Sequence, residues 1–227
     1  MTTFIIATSK LHSMLKAVSH AAAVKDVRYY LNGIRVEVVG ERLILVATDG
    51  HRMAIAECDL PDNPLPMAFT IKGDVKALIG YLGEQAKISK GAETQLTYAQ
   101  GEQTMCEQRP GSEAPPRVQF EEPGHIELRT KHGISWGLQT FYVTMPSTDK
   151  YPDWRRVNPS AQAMKDLMKD AQGVNGDYMA DAFKAAASFS KKYGGTKISV
   201  LNNQQLVVET VSPDGVDFRV VVMSMKI

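Results

Sequence analysis

Ile34-Arg-Val-Glu-Val-Val-Gly-Glu-Arg-Leu-Ile-Leu-Val-Ala-Thr-Asp-Gly50 holds two aliphatic runs, Ile34 to Val39 and Leu43 to Val46. They are joined by Gly40-Glu41-Arg42 and closed by the turn signal Thr48-Asp49-Gly50. Short β-branched runs bounded by Gly and Asp-Gly predict an antiparallel hairpin. Upstream, Leu11, Met14, Leu15, Val18 and Ala22 recur at helical spacing, which predicts an amphipathic helix over Ser9 to Val24 with Ser9 as its N-cap. The first unit is a helix followed by a hairpin.

The pattern returns twice. Ile71-Lys-Gly-Asp-Val opens a second unit, with Asp74 as N-cap, Val75, Leu78, Ile79 and Leu82 as the buried stripe, and strand-like Lys87-Ile-Ser and Leu96-Thr-Tyr beyond. Val174-Asn-Gly-Asp-Tyr opens a third, which runs through Met179 and Phe183 into Lys197-Ile-Ser-Val and Leu206-Val-Val. Such correspondence predicts internal duplication. A sheet of this kind needs neighbouring copies to cover its edge and bury the helix face. The expected fold is therefore α+β, built of duplicated strand-helix-strand units with helices on one face and antiparallel sheets on the other. Ser160 to Ala171 reads as a further helix without strands of its own, and the Pro- and Gly-rich stretch near residues 100–131 reads as a loop insertion. The expected division is 1–150, carrying that insertion, and 151–227, a shorter second domain.

Composition narrows the function. At 227 residues the chain can bury a sizeable core without disulfides or metal. Cys58 and Cys106 lack the spacing of a metal site, and no signal-like start or membrane-length apolar run is present, so a cytoplasmic location is expected. No nucleophile with a base, paired carboxylates or phosphate loop appears, so neither an enzyme nor a cofactor is expected. Thr48-Asp49-Gly50-His51 is first a tight-turn signal rather than a catalytic base, and His125 and His132 lack a third metal ligand at suitable spacing. Lys and Arg number 26 against 25 Asp and Glu, so net charge alone does not announce a nucleic acid.

Placement of charge says more. His12, Lys16 and His20 recur every four residues opposite the leucine stripe, and Lys72, Lys76, Lys165, Lys169, Lys184, Lys191 and Lys192 mark the other helices. Asp166, Asp170 and Asp181 dilute that bias. Two readings stand: lysines that merely solvate helix faces, or helices side by side presenting one cationic surface to a phosphate backbone without base readout.

Asp26-Val-Arg-Tyr-Tyr-Leu-Asn-Gly-Ile and Val46-Ala-Thr-Asp-Gly-His-Arg-Met-Ala resemble the middle domain of the bacterial DNA sliding clamp family, the beta subunit of DNA polymerase III. Tyr151-Pro-Asp-Trp-Arg-Arg-Val resembles the family's link to its last domain. Val174-Asn-Gly-Asp-Tyr resembles its last helix start, and Val221-Val-Met-Ser-Met-Lys-Ile its C-terminal strand and tail. Nothing corresponds to the family's first domain or to part of its last, which implies a shortened form such as a phage, plasmid or other accessory clamp would take.

The resemblance implies a homo-oligomeric ring around duplex DNA, bound without sequence specificity. It also implies a pocket for short linear peptides of DNA polymerase, clamp loader or repair proteins. Residues carried over to that pocket are Leu31, Thr48, Gly50, His51, Arg52 and Met53 from the first half, and Pro152, Arg156 and Val157 from the link. Asn175 and Tyr178 come from the last helix, and Val221, Val222, Met223, Ser224 and Met225 from the C-terminus. Their chemistry agrees with the assignment: valine and methionine make an adaptable apolar groove, while the arginines, Asn175 and Tyr178 can orient a peptide backbone or carboxamide. Met53 stands where the family has leucine, Trp154 for a smaller aromatic, Ser224 for proline and Ile227 for leucine, so peptide preference is expected to differ. DNA-facing candidates are Lys10, His12, Lys16, His20, Arg28, Tyr29, Tyr30, Lys76 and Lys184. Family rings hold about twelve helix-strand units, so three units per chain imply a tetramer and four a trimer. A second reading is a module that never closes a ring and competes as a decoy for clamp-binding peptides.

Overall fold

Strand β1, Thr2–Ala7, runs without a break into helix α1, Thr8–Ser19. The structure, a computed structural model, describes residues 2–61, 64–72, 75–99, 103–105, 118–120, 124–132, 135–142, 151–159, 174–189, 195–201 and 205–223. Because the strand feeds the helix directly, Ala7 holds the N-cap position with no side-chain bond, and the Thr8 amide donates to the Ala92 carbonyl at 2.9 Å. The expected cap, Ser9, lies inside the first turn. The helix also stops earlier than its apolar spacing suggests, because the amides of Ala21 and Ala22 reach back only three residues in a tightening turn.

The hairpin of β2 (Ile34–Val39) and β3 (Arg42–Thr48) turns at Gly40, whose φ of +58° suits glycine. Next come β4 (Arg52–Asp59), β5 (Met67–Ile71), α2 (Val75–Ile88), β6 (Glu93–Ala99), β7 (Gln103–Met105) and β8 (Val118–Phe120). The chain continues through β9 (His125–His132), β10 (Ser135–Tyr142), α3 (Gly176–Ala187), β11 (Lys197–Val200), β12 (Gln205–Val211) and β13 (Val216–Met223). Lys87 and Ile88 close α2 rather than forming a strand, so their match to strand residues Lys197-Ile-Ser does not reflect equivalent structure. His125–Lys131 is not loop: β9 pairs with both β6 and β10. Asp74 and the helix expected over 160–171 lie outside the described residues.

Two main sheets form, ordered β1-β6-β9-β10 and β11-β12-β13-β4-β3-β2-β5. The first strand of each early unit pairs with the other unit: β1 lies against β6, and β5 against β2. This reciprocal exchange is what the duplication would produce, and α1 packs against α2 between the units. The third unit extends the larger sheet through β13 on β4.

One core joins both sheets and the helices, from Phe4, Leu96 and Ile126 through Met14 and Val18 to Val208 and Phe218. Phe69 of β5 stacks on Tyr98 of β6 at 4.5 Å, bridging the sheets. A second cluster, Val46, Met53, Ile55, Trp154, Val207 and Val221, lies on the opposite face of the larger sheet beneath residues 151–158. Strands β3 and β4 are thus covered on both faces, which accounts for a continuous run such as Leu43-Ile-Leu-Val where alternation would expose every second residue. Cys58 is buried in the main core, where desolvation pushes its thiol pKa up to about 11 and makes it unreactive.

Candidate functional site

The turn between β3 and β4 is set by its own side chains. Thr48 Oγ1 donates to the Arg52 carbonyl at 2.7 Å, while the amides of His51 and Arg52 donate to Asp49 Oδ1 at 2.9 and 3.0 Å. Asp49 therefore organises a turn, as Asp-Gly suggests. Gly50 has φ +87°, and a Cβ there would stand 2.6 Å from Arg28 Nη1, so the position is restricted by both backbone and space. The Met223 amide donates to the His51 carbonyl, fastening the end of β13 to this turn.

Two further segments close a cleft over it. Arg28 forms a forked pair with Asp26 (3.0 and 2.7 Å) and also donates to the Asp49 carbonyl. These bonds hold the Asp26 carboxyl down at about 2 and fix the loop that presents Tyr30 and Leu31. From the other side, residues 151–158 are strapped across the sheet. Tyr151 OH donates to the Val46 carbonyl, Arg155 pairs with Glu37 at 2.7 Å, and Gln205 Nε2 donates to the Val157 carbonyl. Burial alone would raise the Glu37 pKa, but the bonds from Arg155 and Arg35 outweigh it and the net shift is downward.

The resulting cavity is about 230 Å³. Leu31, Met53, Pro152, Val157, Val221 and Met223 give it apolar walls; Thr48, Gly50, His51 and Arg52 form its polar side. These ten residues, named from sequence, are brought together. Arg28, Tyr30, Asp153 and Trp154 line it too, although the sequence reading gave the first two to DNA and passed over Asp153. Their signal was adjacency, since each abuts a residue already singled out.

Other candidates fall elsewhere. Val222 is fully buried in the main core, because successive strand residues face opposite sides and Val221 already faces the cleft. Arg156 is exposed away from the lining. Asn175 caps α3, accepting the amides of Asp177 and Tyr178, and Tyr178 stands behind the wall with Arg52 4.5 Å above its ring and His51 stacked at 6.3 Å. Ser224 and Met225 lie outside the described residues.

Of the DNA-facing candidates, Lys16, Lys76 and Lys184 are exposed on three different helices, Lys10 is half-buried, and Tyr29 is 58% exposed beneath Lys72. His12 and His20 do not belong to a solvated cationic face. Packing of α2 and α3 against α1 encloses them: a Cβ at Gly83 would lie 2.9 Å from His12 Nε2, and His20 Nε2 is buried. Burial lowers both pKa values, helped at His12 by Lys16 and Lys87 and at His20 by Arg52. The folded state thus resists protons that the unfolded chain accepts as pH falls through 6.5, so these groups contribute stability above that pH and lose it under acid. Melting curves from pH 7.5 to 5.5 are expected to fall, and His20→Gln to flatten the fall; equal slopes would contradict this.

Comparison with known proteins places the architecture. Residues 5–99 match the profile of the DNA polymerase III beta subunit, central domain. The beta sliding clamp of Pseudomonas aeruginosa is 30% identical over 214 residues, which cover 93% of this chain and 47% of that protein. The chain is similar in sequence to the bacterial DNA sliding clamps. It spans about half the length of the curated clamps it matches. Solved clamp structures share its fold: the DNA polymerase III subunit beta of Pseudomonas aeruginosa superposes with a TM-score of 0.64 at 19% identity, covering all of this chain and 67% of that one. The corresponding subunit of Thermotoga maritima gives 0.65 at 14% identity over 100% and 66%. Among the described residues no helix is long and apolar enough to cross a membrane.

Proposed function

We propose that this chain is a non-enzymatic, cytoplasmic processivity factor that associates with itself into a ring around duplex DNA. Its cleft captures short peptides of a DNA polymerase, a clamp loader or repair proteins. The single observation that carries the reading is the cleft itself. Family-like motifs from residues 28–31, 48–53, 152–157 and 221–223 converge on one apolar cavity with arginine at its edge, the form a peptide-anchoring pocket takes. The reading divides the chain at residue 150 into the two domains expected from sequence, with 151–158 as the link between them.

DNA holding rests on charge and edges. Exposed Lys16, Lys76 and Lys184 on α1, α2 and α3 supply a modest cationic bias, enough for sliding contact with phosphates and too weak for tight binding. Among the described residues, strands β1, β10, β11 and β5 end the two main sheets and would offer edge backbone to a neighbouring copy. Replacing Lys10, Lys16 and Lys184 with glutamate is expected to reduce retention on DNA roughly tenfold or more at moderate salt. Unchanged retention would remove the helices from the DNA-facing wall. Light scattering after size exclusion, over a range of concentrations, tests the assembly. A mass of three or four chains supports the ring, and a monomer throughout favours a non-ring module that competes for clamp-binding peptides.

A further inference from the structure

A second cavity, about 360 Å³, opens between the end of α1, the loop that follows it and the start of α2. It is larger than the cleft, shares no lining residue with it, and falls within the size range of small-ligand pockets. Its walls are aliphatic, from Ala22, Ala23, Val24, Val75 and Ile79. Val24 is 84% exposed, apolar surface that a ligand would cover.

The charge of this cavity has one sign. Lys25 and Lys76 line it, both exposed, and among the described residues the lining carries no carboxylate. Asp26, next to Lys25, is committed to Arg28 through its forked pair and does not offset them. Lys72 adds a cation close by: its stem lies 3.0 Å from where a Cβ on Gly33 would stand in the cavity wall, and its ammonium sits 5.2 Å from the centre of the Tyr29 ring. Lys25 has a φ of +55°, a left-handed conformation that disfavours residues with a side chain. Asn32 holds the chain there by bonding both the amide and the carbonyl of Asp26 at 2.9 Å. Lysines around an aliphatic hollow suit a ligand with phosphates at one end and a flat, weakly polar body at the other.

We propose that this cavity binds a nucleoside phosphate: Lys25 and Lys76 take the phosphates, Lys72 adds to their field, and the aliphatic walls cover base and sugar. The site is separate from the peptide cleft, so either reading can fail alone. The test uses the full chain and isothermal calorimetry without divalent metal, with dTTP, inorganic triphosphate and a 5′-phosphorylated thymidine hexanucleotide as probes. dTTP should bind about tenfold tighter than inorganic triphosphate, because only dTTP buries the walls. Lys25→Gln combined with Lys76→Gln should weaken both at least about tenfold. Ala23→Leu, which narrows the hollow without altering charge, should weaken dTTP about fivefold or more and leave inorganic triphosphate unmoved. Both variants should melt within about 4 °C of the unsubstituted chain, because the three positions are exposed or half-exposed. A hexanucleotide that binds tighter than dTTP and is lost with the two lysines assigns the site to an unpaired DNA strand; one that binds no tighter assigns it to the free nucleotide. If dTTP and inorganic triphosphate bind alike, the lysines form a plain cationic patch and the proposal is overturned. It is equally overturned if dTTP does not bind, or binds undiminished after the lysine changes or after Ala23→Leu.

Discussion

Phe218→Ala is expected to destabilise the chain by about 3–5 kcal/mol, the range for truncating a fully buried aromatic, and to lower its melting temperature by roughly 6–20 °C. Phe218 is 1% exposed and packs on Phe189 with ring centres 5.0 Å apart. Its strand, β13, is hydrogen-bonded on one side to β12 and on the other to β4, with Phe218 opposite Thr210 and Ala56. The cavity left by its ring therefore opens in the core shared by the third repeat and the first, and the cleft at the end of that strand should weaken with it. Thermal denaturation followed by circular dichroism and by the fluorescence of the two tryptophans, Trp136 and Trp154, should show one shifted transition by both probes. A shift worth less than about 1 kcal/mol would mean that this core does not join the two parts of the chain.

Met223→Lys addresses the cleft without touching the core. Met223 is 40% exposed, and its link to the β3–β4 turn is made by its backbone amide, so the fold should survive the change. The thioether contributes an adaptable apolar wall; an ammonium in its place would have to shed water against an apolar ligand and stand near Arg28 and Arg52. Affinity for a leucine- and phenylalanine-bearing peptide should fall at least about 30-fold, or about 2 kcal/mol. Isothermal calorimetry measures this directly. Unchanged affinity would place the peptide elsewhere on the molecule.

Much of this was legible in the sequence, for reasons that local chemistry explains. The hairpin 34–48 and the Asp49-Gly50 turn depend on residues near in sequence, and each forms where its composition indicates. Lys87-Ile-Ser misled because Lys and Ile suit either structure, and α2, packed on α1, carries its helix through to Ile88. His12 and His20 appeared solvated because helical spacing reveals only which face is apolar, not that a second and third helix cover the other. Val222 was carried over to the pocket together with Val221 on the resemblance, where strand alternation separates them. The reciprocal pairing of β1 with β6 and β5 with β2 carries no local signal, since backbone hydrogen bonds between distant strands are indifferent to side-chain identity.

If this chain holds DNA by enclosing it, retention on a nicked circular duplex, measured before and after linearisation with a bacterial clamp loader and ATP present, should depend on topology. The chain should co-elute with the circle and be lost when a single cut gives it ends to slide from. Equal retention on circle and linear DNA, or none on either, would contradict enclosure.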